Sequence, residues 1–466
     1  MNGVFVLSSL VALTTSSLLE DVEPNQCIDL LQTQSEFRLR PRPVRQELAN
    51  HEDVSYTGRI RVGQQDFEAI LDTGSFELVI FTHNCEGCGA AGHRGYDPRK
   101  SPKYRAGRLV QELSYGSGNA FCSNAFDQVE IGSLHLESQP IWLVEQAQMK
   151  VLSDAKFQAI LGVGPPFAMK LQAEMDEKQL QGLAGKLKAW NVSIPASLRS
   201  RMQNIKKADR AMENLHDSVP ENLQLRFLSM CLGRKQGSLG AAIWHDHDPS
   251  SRPEPFRRLA VIGKVTWGLS LKNVRLVSKG QRIDIACSKG CGAILDTGTS
   301  LLTAPFDAVN RMGNVLKALG ANCLKEDSLP HLEFELGGEV LSLPPQSYIG
   351  FVKGVMPAPW KTLFHQKPLI QVEDCQLLMM DNGGMTGGEE GPLWIIGMPF
   401  FRTFYTTFDY SSSQPSIWVT EASESCEPAQ AAHAAHVKQS SLLQVDQSNL
   451  RLPRWMSNRS SEHVQL

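Results

Sequence analysis

The chain carries almost no charge bias: 46 lysines and arginines stand against 49 aspartates and glutamates, a formal net charge of −3. A balance this even gives no footing for a nucleic-acid or polyanion partner. Beyond a short N-terminal stretch there is no run of about 20 apolar residues, so no transmembrane segment is expected. Helical periodicity is scarce outside one region. There is also no serine-centred nucleophile elbow, no phosphate-binding P-loop and no dinucleotide-binding glycine pattern. These absences leave proteins, small molecules and sugars as substrate classes.

At 466 residues, 42% hydrophobic and 20% charged, the composition is that of a globular protein large enough for two or more cores. The first residues, MNGVFVLSSLVALTTSS, place a short apolar stretch before small residues. Residues 1–19 therefore read as a secretory signal peptide. No Lys or Arg precedes the apolar stretch, and a buried or amphipathic N-terminal helix is the plainer alternative. Ten cysteines fit an oxidising compartment better than a cytosol. Asn191-Val-Ser193 and Asn458-Arg-Ser460 are candidate glycosylation sequons. A secreted or endomembrane (vacuolar, lysosome-like) glycoprotein is the expected class.

Residues 34–50 are basic and broken by proline. They read either as a solvated linker or as part of a propeptide over 20–50 whose positive charge covers an acidic site. The ordered part is expected from near Tyr56, where Arg59-Ile-Arg-Val62 alternates polar and apolar residues as a half-buried strand does. Further strand signals follow at FELVIF (76–81), LVQELSYGSG (109–118) and FDQVEIGSLHLE (126–137). Between Pro165 and Pro220, Leu171, Met175, Leu180, Leu183, Leu187 and Trp190 recur at helical spacing with charges between them. This reads as a surface helical insertion over 166–220, packed on the body or reaching for a partner. Strand signals resume at Leu223 and end at Val419, and residues 422–466 read as a mostly disordered tail. The reading is two β-rich lobes, 51–225 and 226–421.

The hexapeptide AILDTG occurs twice, at Ala69–Gly74 and at Ala293–Gly298. A carboxylate that ends an apolar strand must stay hydrated, be paired, or give up its charge. Two such carboxylates, Asp72 and Asp296, can be each other's partner. At close range both cannot ionise, so the pair keeps one proton and titrates as a unit. Such a pair holds a base for water and an acid for a carbonyl oxygen, the two acts that amide hydrolysis requires. Gly74 and Gly298 allow tight turns and close approach of a substrate, Ser75 and Thr299 can hold the outer oxygens, and Thr73 and Thr297 can lock the loops. A single Asp-Thr-Gly is a good turn and a weak signal; two copies after the same Ala-Ile-Leu are a strong one.

With these loops in view the chain resembles the pepsin-like aspartic proteases from about Tyr56 to Thr420. LSYGSG at 113–118 resembles the family's flap hairpin, which implies that Tyr115 closes over substrate with backbone bonds from Gly116 and Ser117. FQAILGVG at 157–164 and LWIIGMPF at 393–400 resemble the segments beneath the two aspartates. RFLSMCLG at 226–233 resembles the strand that opens the second lobe. The resemblance implies an all-β bilobal fold, two β-barrel-like lobes with a cleft between them, and an aspartic endopeptidase active at acidic pH. Ile70 and Ile160 would line an apolar pocket suited to hydrophobic residues at the scissile bond. The implied substrate is a protein or peptide, with no cofactor, no metal and a monomeric enzyme. CSKGC at 287–291 resembles the family's small disulfide loop, Cys287 to Cys291; Cys323 and Cys375 resemble its larger one.

The sequence departs from the family where a Trp usually follows the first aspartate by seven residues; here Val79 stands, which bears on flap closure and subsites. Met398 replaces an Asp, with second-lobe subsites expected to change. Cys85-Glu-Gly-Cys88 with Cys122 has no second pair or His at ligand spacing, which favours a disulfide between two of these three over zinc or redox chemistry. Cys231 is paired provisionally with Cys426. His245-Asp-His-Asp248 reads as a solvated turn more simply than as a metal site. The competing functional class is a non-catalytic binding or inhibitor protein on the same fold, against which both intact loops weigh.

Overall fold

The computed structural model describes residues 41–446 apart from 116–117, 191, 197–198, 200–217, 324, 326–327, 354–373, 388–389, 412–413 and 431–441. Residues 1–19, read above as a signal peptide, the asparagines of both candidate sequons, Gly116 and Ser117 lie outside the described residues.

The first half is built from β1 (Val44–His51), β2 (Ser55–Val62), β3 (Gln65–Asp72), β4 (Leu78–Glu86), β5 (Arg105–Tyr115), β6 (Gly118–Ile131), β7 (Leu134–Met149) and β8 (Ala159–Gly162), followed by helix α1 (Ala168–Ala189). In β2 the alternation has its expected effect: Ile60 and Val62 are buried, Arg59 and Arg61 exposed. Gly63 and Gln64 both have positive φ and form the two-residue turn that returns the chain into β3, a conformation matched to strand twist.

The second half contributes β9 (Phe227–Cys231), β10 (Gly240–Trp244), β11 (Arg257–Ala260), β12 (Gly268–Ser278), β13 (Gln281–Ala286), β14 (Cys291–Leu295) and β15 (Leu302–Ala304). Helix α2 (Phe306–Ala318) precedes β16 (His331–Leu336), β17 (Glu339–Leu343), β18 (Ile349–Lys353), β19 (Asp374–Leu377), β20 (Met379–Asp381) and β21 (Leu393–Ile396). Helix α3 (Met398–Thr403), β22 (Phe404–Asp409), β23 (Ser416–Glu421) and β24 (Leu443–Asp446) complete it.

Thirteen strands form one sheet in the order β11-β23-β22-β9-β10-β1-β2-β3-β8-β4-β7-β6-β5, and an eight-stranded sheet of second-half strands carries β14 beside β21. The fold is thus all-β and bilobal. Its joint is β1, which pairs antiparallel with β10 on one side and β2 on the other. The buried Gln46 amide serves both neighbours, accepting from Trp244 Nε1 at 2.9 Å and donating to the Arg59 carbonyl at 2.9 Å.

Several expectations are corrected here. Among the described residues, strand structure is already present at Val44, ahead of Tyr56, because β1 fills the gap between the halves. Residues 44–50 are therefore a sheet strand rather than a linker. Arg45 on β1 donates to the carbonyls of Ser425 and Cys426 and to the Glu427 carboxylate. The start of the tail is ordered too: Cys426 is disulfide-bonded to Cys231, and β24 pairs in parallel with β18. Compositional weakness in the tail hid two short anchors. Of the six residues proposed as the apolar stripe of the insertion, Leu180 is buried but Leu183 and Trp190 are exposed; α1 seats Ala168, Leu171 and Met175 against Phe76 and Val265. The His245–Asp248 turn is solvated only in part: His247 is exposed, but His245 and Asp246 are buried, and Asp246 accepts from Ser229 Oγ, Tyr405 Oη and Arg252.

Cys85 pairs with Cys88 and Cys287 with Cys291. Cys323 is also disulfide-bonded; the side chain of Cys375 lies outside the described residues.

Between β1 and β2, Asp53 is buried with Arg402 of α3, at 3.1 Å, and Arg402 also donates to the carbonyls of Asp53 and Gly233. Removing one member of a buried pair strands the other's charge. Arg402→Met is expected to cost about 3–5 kcal/mol, read by denaturant unfolding against the parent protein; a change within about 0.5 kcal/mol, the scatter of an ordinary surface substitution, would refute the assignment.

Candidate active site

Asp72 ends β3 and Asp296 follows β14, each beside a short parallel neighbour. Asp72 is in register with Gly162 of β8, and the Val163 amide donates to the Asp72 carbonyl at 2.9 Å. In the second half, β14 runs parallel to β21 and the Asp296 amide donates to the Ile396 carbonyl at 3.0 Å. Gly162 is required by space: a Cβ there would collide with the backbone of Phe76, and one on Gly397 would collide with the carbonyls of Thr299 and Leu301. These two glycines let the turn after each aspartate fold back onto the adjoining strand.

The loops interlock. The Thr73 amide donates to Thr297 Oγ1 at 3.0 Å and the Thr297 amide to Thr73 Oγ1 at 2.9 Å. Each hydroxyl passes its proton on to the other half, Thr73 Oγ1 to the Leu295 carbonyl and Thr297 Oγ1 to the Leu71 carbonyl. All four groups are buried, so each bond replaces a desolvated polar atom that would otherwise be unsatisfied.

Within each loop the carboxylate is held at both oxygens. Asp72 accepts from the Gly74 amide at 2.9 Å and from Ser75 Oγ at 2.7 Å. Asp296 accepts from the Gly298 amide at 2.7 Å and from Thr299 Oγ1 at 2.6 Å. The glycines have a further role that the sequence reading missed. A Cβ on Gly74 would lie 2.8 Å from Asp296 Cγ, and one on Gly298 would overlap Asp72 Oδ1. Neither has the positive φ that favours glycine; each is small because the opposite carboxylate sits against it.

The electrostatic consequence follows from that closeness. Burial first, and then the charge of Asp72, push the Asp296 carboxyl up to about 8, against the smaller opposing effect of Thr299 and Gly298 donation. The Asp296 carboxyl therefore favours its protonated form beside Asp72.

Tyr115 lies at the end of β5, where β5 turns into β6, and is buried with the apolar cluster beneath that hairpin. One row of side chains crosses the sheet under it. Ile70 stands opposite Ile160, Ile160 opposite Val79, and Val79 opposite Trp142 of β7. All four are buried and belong to the cluster that holds Tyr115. Trp142 was not singled out from the sequence; only the pairing of β4 with β7, distant in sequence, places it there. Met398 is buried in the main core, so its substitution for Asp alters packing behind the second loop rather than a subsite wall.

A sequence profile described as eukaryotic aspartyl protease matches residues 55–184 and 200–419. The chain belongs to that family. This aspartyl protease homologue is 26% identical over 381 residues to pepsin A of Bos taurus, covering 79% of this chain and 85% of the relative. It is 26% identical over 390 residues to pepsin A of Sus scrofa, with 79% and 82% covered. To chymosin of Callithrix jacchus it is 25% identical over 383 residues, with 78% and 81% covered. Among the described residues no helix is long and apolar enough to cross a membrane.

The space argument gives a direct test. Gly298→Ala is expected to fold but to lose turnover by at least about a hundredfold, the scale of a displacement near 1 Å in a reacting group. Circular dichroism and peptide-cleavage assays on the same preparation would check it; turnover near the parent's would show that the carboxylates are not packed on these glycines.

Proposed function

We propose that this family member is an aspartic endopeptidase in which Asp72 and Asp296 share one proton and activate a water held between them. The observation that carries the reading is their mutual placement, two buried carboxylates from two interlocked loops, each resting on the other loop's glycine. The ionised carboxylate takes a proton from water as the oxygen attacks the peptide carbonyl carbon. The protonated carboxyl gives its proton to the carbonyl oxygen, forming a tetrahedral diol. Collapse of the diol breaks the C–N bond as one carboxyl of the dyad gives its proton to the leaving amine and a diol hydroxyl returns a proton to the other carboxylate, which restores the starting dyad. Neither a metal nor a covalent intermediate is needed for these steps. Because one chain supplies both aspartates, a monomer suffices.

The substrate is an extended peptide. Tyr115, with the backbone of Gly116 and Ser117, is assigned to close over it. Ile70, Ile160 and Trp142 are buried with Tyr115 and back that side of the cleft with apolar side chains, which suits a hydrophobic or aromatic residue at the scissile bond. The disulfides and the signal-like N-terminus support a secreted or endomembrane location. Residues 20–42 are assigned as a removable segment, since a cut after residue 50 would extract β1 from the sheet; protein retaining them is expected to cleave peptides more slowly than protein beginning at Pro43, and equal rates would exclude a blocking role.

The pH dependence has a definite sign. A carboxyl whose folded pKa lies above its unfolded value binds a proton in the native state that the unfolded chain has released. Stability from this group is therefore greatest below about 4 and declines as pH rises towards about 8. Turnover declines at the same upper end, because the dyad works only while it holds a proton. Acidic pH thus favours both this group's contribution to the fold and the proposed chemistry. Asp296→Asn is expected to flatten the fall in melting temperature between pH 4 and 8; an unchanged slope would place the effect elsewhere.

The deciding experiment is cleavage of a diverse quenched-peptide pool from acidic to neutral pH, with and without pepstatin. Pepstatin-sensitive cleavage that Asp72→Asn and Asp296→Asn each reduce by about a thousandfold or more supports the reading. Folded protein beginning at Pro43 that binds peptides without cutting them would instead make it a binding module.

A further inference from the structure

Helix α1 is anchored at its start and bare at its end. Ala168 packs with Phe76 and Val265, and Leu171 and Met175 lie against them. Further along, Leu180 and Ala184 are still buried, yet Leu183 is 47% exposed, Trp190 71% and Val192 47%. Leu183 and Trp190 are seven residues apart, close to two turns, and so share one face. The helix end has a defined shape: the Trp190 amide donates to the Lys186 carbonyl at 3.1 Å and the Val192 amide to the Leu187 carbonyl at 2.9 Å. The Glu221 carboxylate holds the root of the insertion, accepting from the Phe167 amide at 2.5 Å and from the Ser218 amide at 2.7 Å. The chain on either side of the insertion is thus tied at one point.

The charge at the free end is of one sign. From Lys178 to Arg199 the only charged residues are Lys178, Lys186, Lys188 and Arg199, all exposed. Among the described residues none of these four side chains is ion-paired, whereas other surface lysines are, Lys103 with Glu137 and Lys235 with Glu424. In sequence the next acid is Asp209, after Arg201, Lys206 and Lys207, which lie outside the described residues. With these seven set aside, the chain holds 39 basic against 49 acidic residues. A basic segment with an apolar tip therefore belongs to an otherwise acidic protein.

We propose that the end of α1, from Leu183 to Val192, is a docking surface for an anionic lipid bilayer. A tryptophan seats its ring at the headgroup level, aliphatic neighbours enter the acyl boundary, and lysines reach the phosphates along their own apolar stems. Trp190, Leu183 and Val192 supply the first two, and Lys186 and Lys188 the third. A single-stranded nucleic acid would use the indole and the lysines but leave Leu183 and Val192 in water. The acidic remainder of the protein is repelled by the same bilayer, which makes the basic tip the point of contact. The proposal stands apart from the peptidase reading, which cleavage of soluble peptides tests separately.

The test uses protein lacking residues 1–19, so that the apolar N-terminal stretch cannot itself bind lipid. Sedimentation with mixed phosphatidylserine–phosphatidylcholine vesicles and with phosphatidylcholine vesicles is compared for the parent, Trp190→Ala and the double variant Lys186→Glu/Lys188→Glu, with thermal melting as the check on folding. The parent is expected to bind the mixed vesicles, and each variant at least about tenfold more weakly. Binding is also expected to fall as ionic strength rises from about 0.1 to 1 M, where the Debye length shrinks from about 10 to 3 Å. Should Trp190→Ala not fold, Trp190→Gln is read the same way. No binding by the parent, equal binding by the tryptophan variant, or equal binding to both kinds of vesicle would each overturn the proposal. So would self-association of the parent that Trp190→Ala abolishes, since the tip would then belong to a second copy. Asn191 of the candidate sequon adjoins Trp190; a glycan found there by mass spectrometry of protein from its own cells would hold the tip off the bilayer and overturn the proposal as well.

Discussion

Two carboxylates buried against one another are a standing liability, since removing charge from water is costly and placing like charges together costs more. The architecture around Asp72 and Asp296 is arranged to hold that liability still. Reciprocal threonine bonds tie the loops, amide and hydroxyl donors take two oxygens of each carboxylate, and parallel strands from each half lie beneath. None of these alone fixes the distance between the aspartates. The glycines do, because each carboxylate rests on the place where the other loop's Cβ would be.

The two halves solve the problem alike, but they are not copies in detail. The first loop is steadied from behind by Phe76 on α1, and after the second Ser300 Oγ donates to the Val54 carbonyl between β1 and β2. In the first half the sheet behind the loop continues outward into an apolar row capped by Tyr115. In the second half α3, whose Met398 amide bonds the Thr299 carbonyl, and its buried arginine tie the loop to the joint of the molecule. A chain that bears the same six residues twice therefore supports its two loops unequally.

Much of this was legible in the sequence because it was written locally. The repeated AILDTG, the Ser and Thr three places on and the Ile-Leu-Gly and Ile-Ile-Gly segments each state a strand, a turn and a donor within a few residues. What was not legible depends on residues brought from far away. The alternation that begins β2 is easy to see, whereas β1 looks like basic linker because its pairing partners are in other parts of the chain. Trp142 gives no local sign of standing beside Val79. Asp246 sits in a polar string and is buried where Ser229 of β9 and Tyr405 of the neighbouring β22 bond to it. The tail's low periodicity was real, yet one cysteine and four residues of strand sufficed to anchor it.

The placement of β1 also bears on how such a chain can be made. Its partner β10 lies about 200 residues downstream, with Val44 opposite Trp244. During synthesis Val44–Leu48 emerge early and must wait for this partner until the chain is just past its midpoint, although Ala49–His51 can already pair with β2. Contacts this distant in sequence make folding slow, because loop closure is entropically costly before any pairing rewards it. The same topology acts in the opposite sense once folding is done. Freeing β1 breaks pairing with both halves at once, so escape from the native state has no cheap first step, and persistence of the fold rests on the rate of unfolding as much as on its equilibrium.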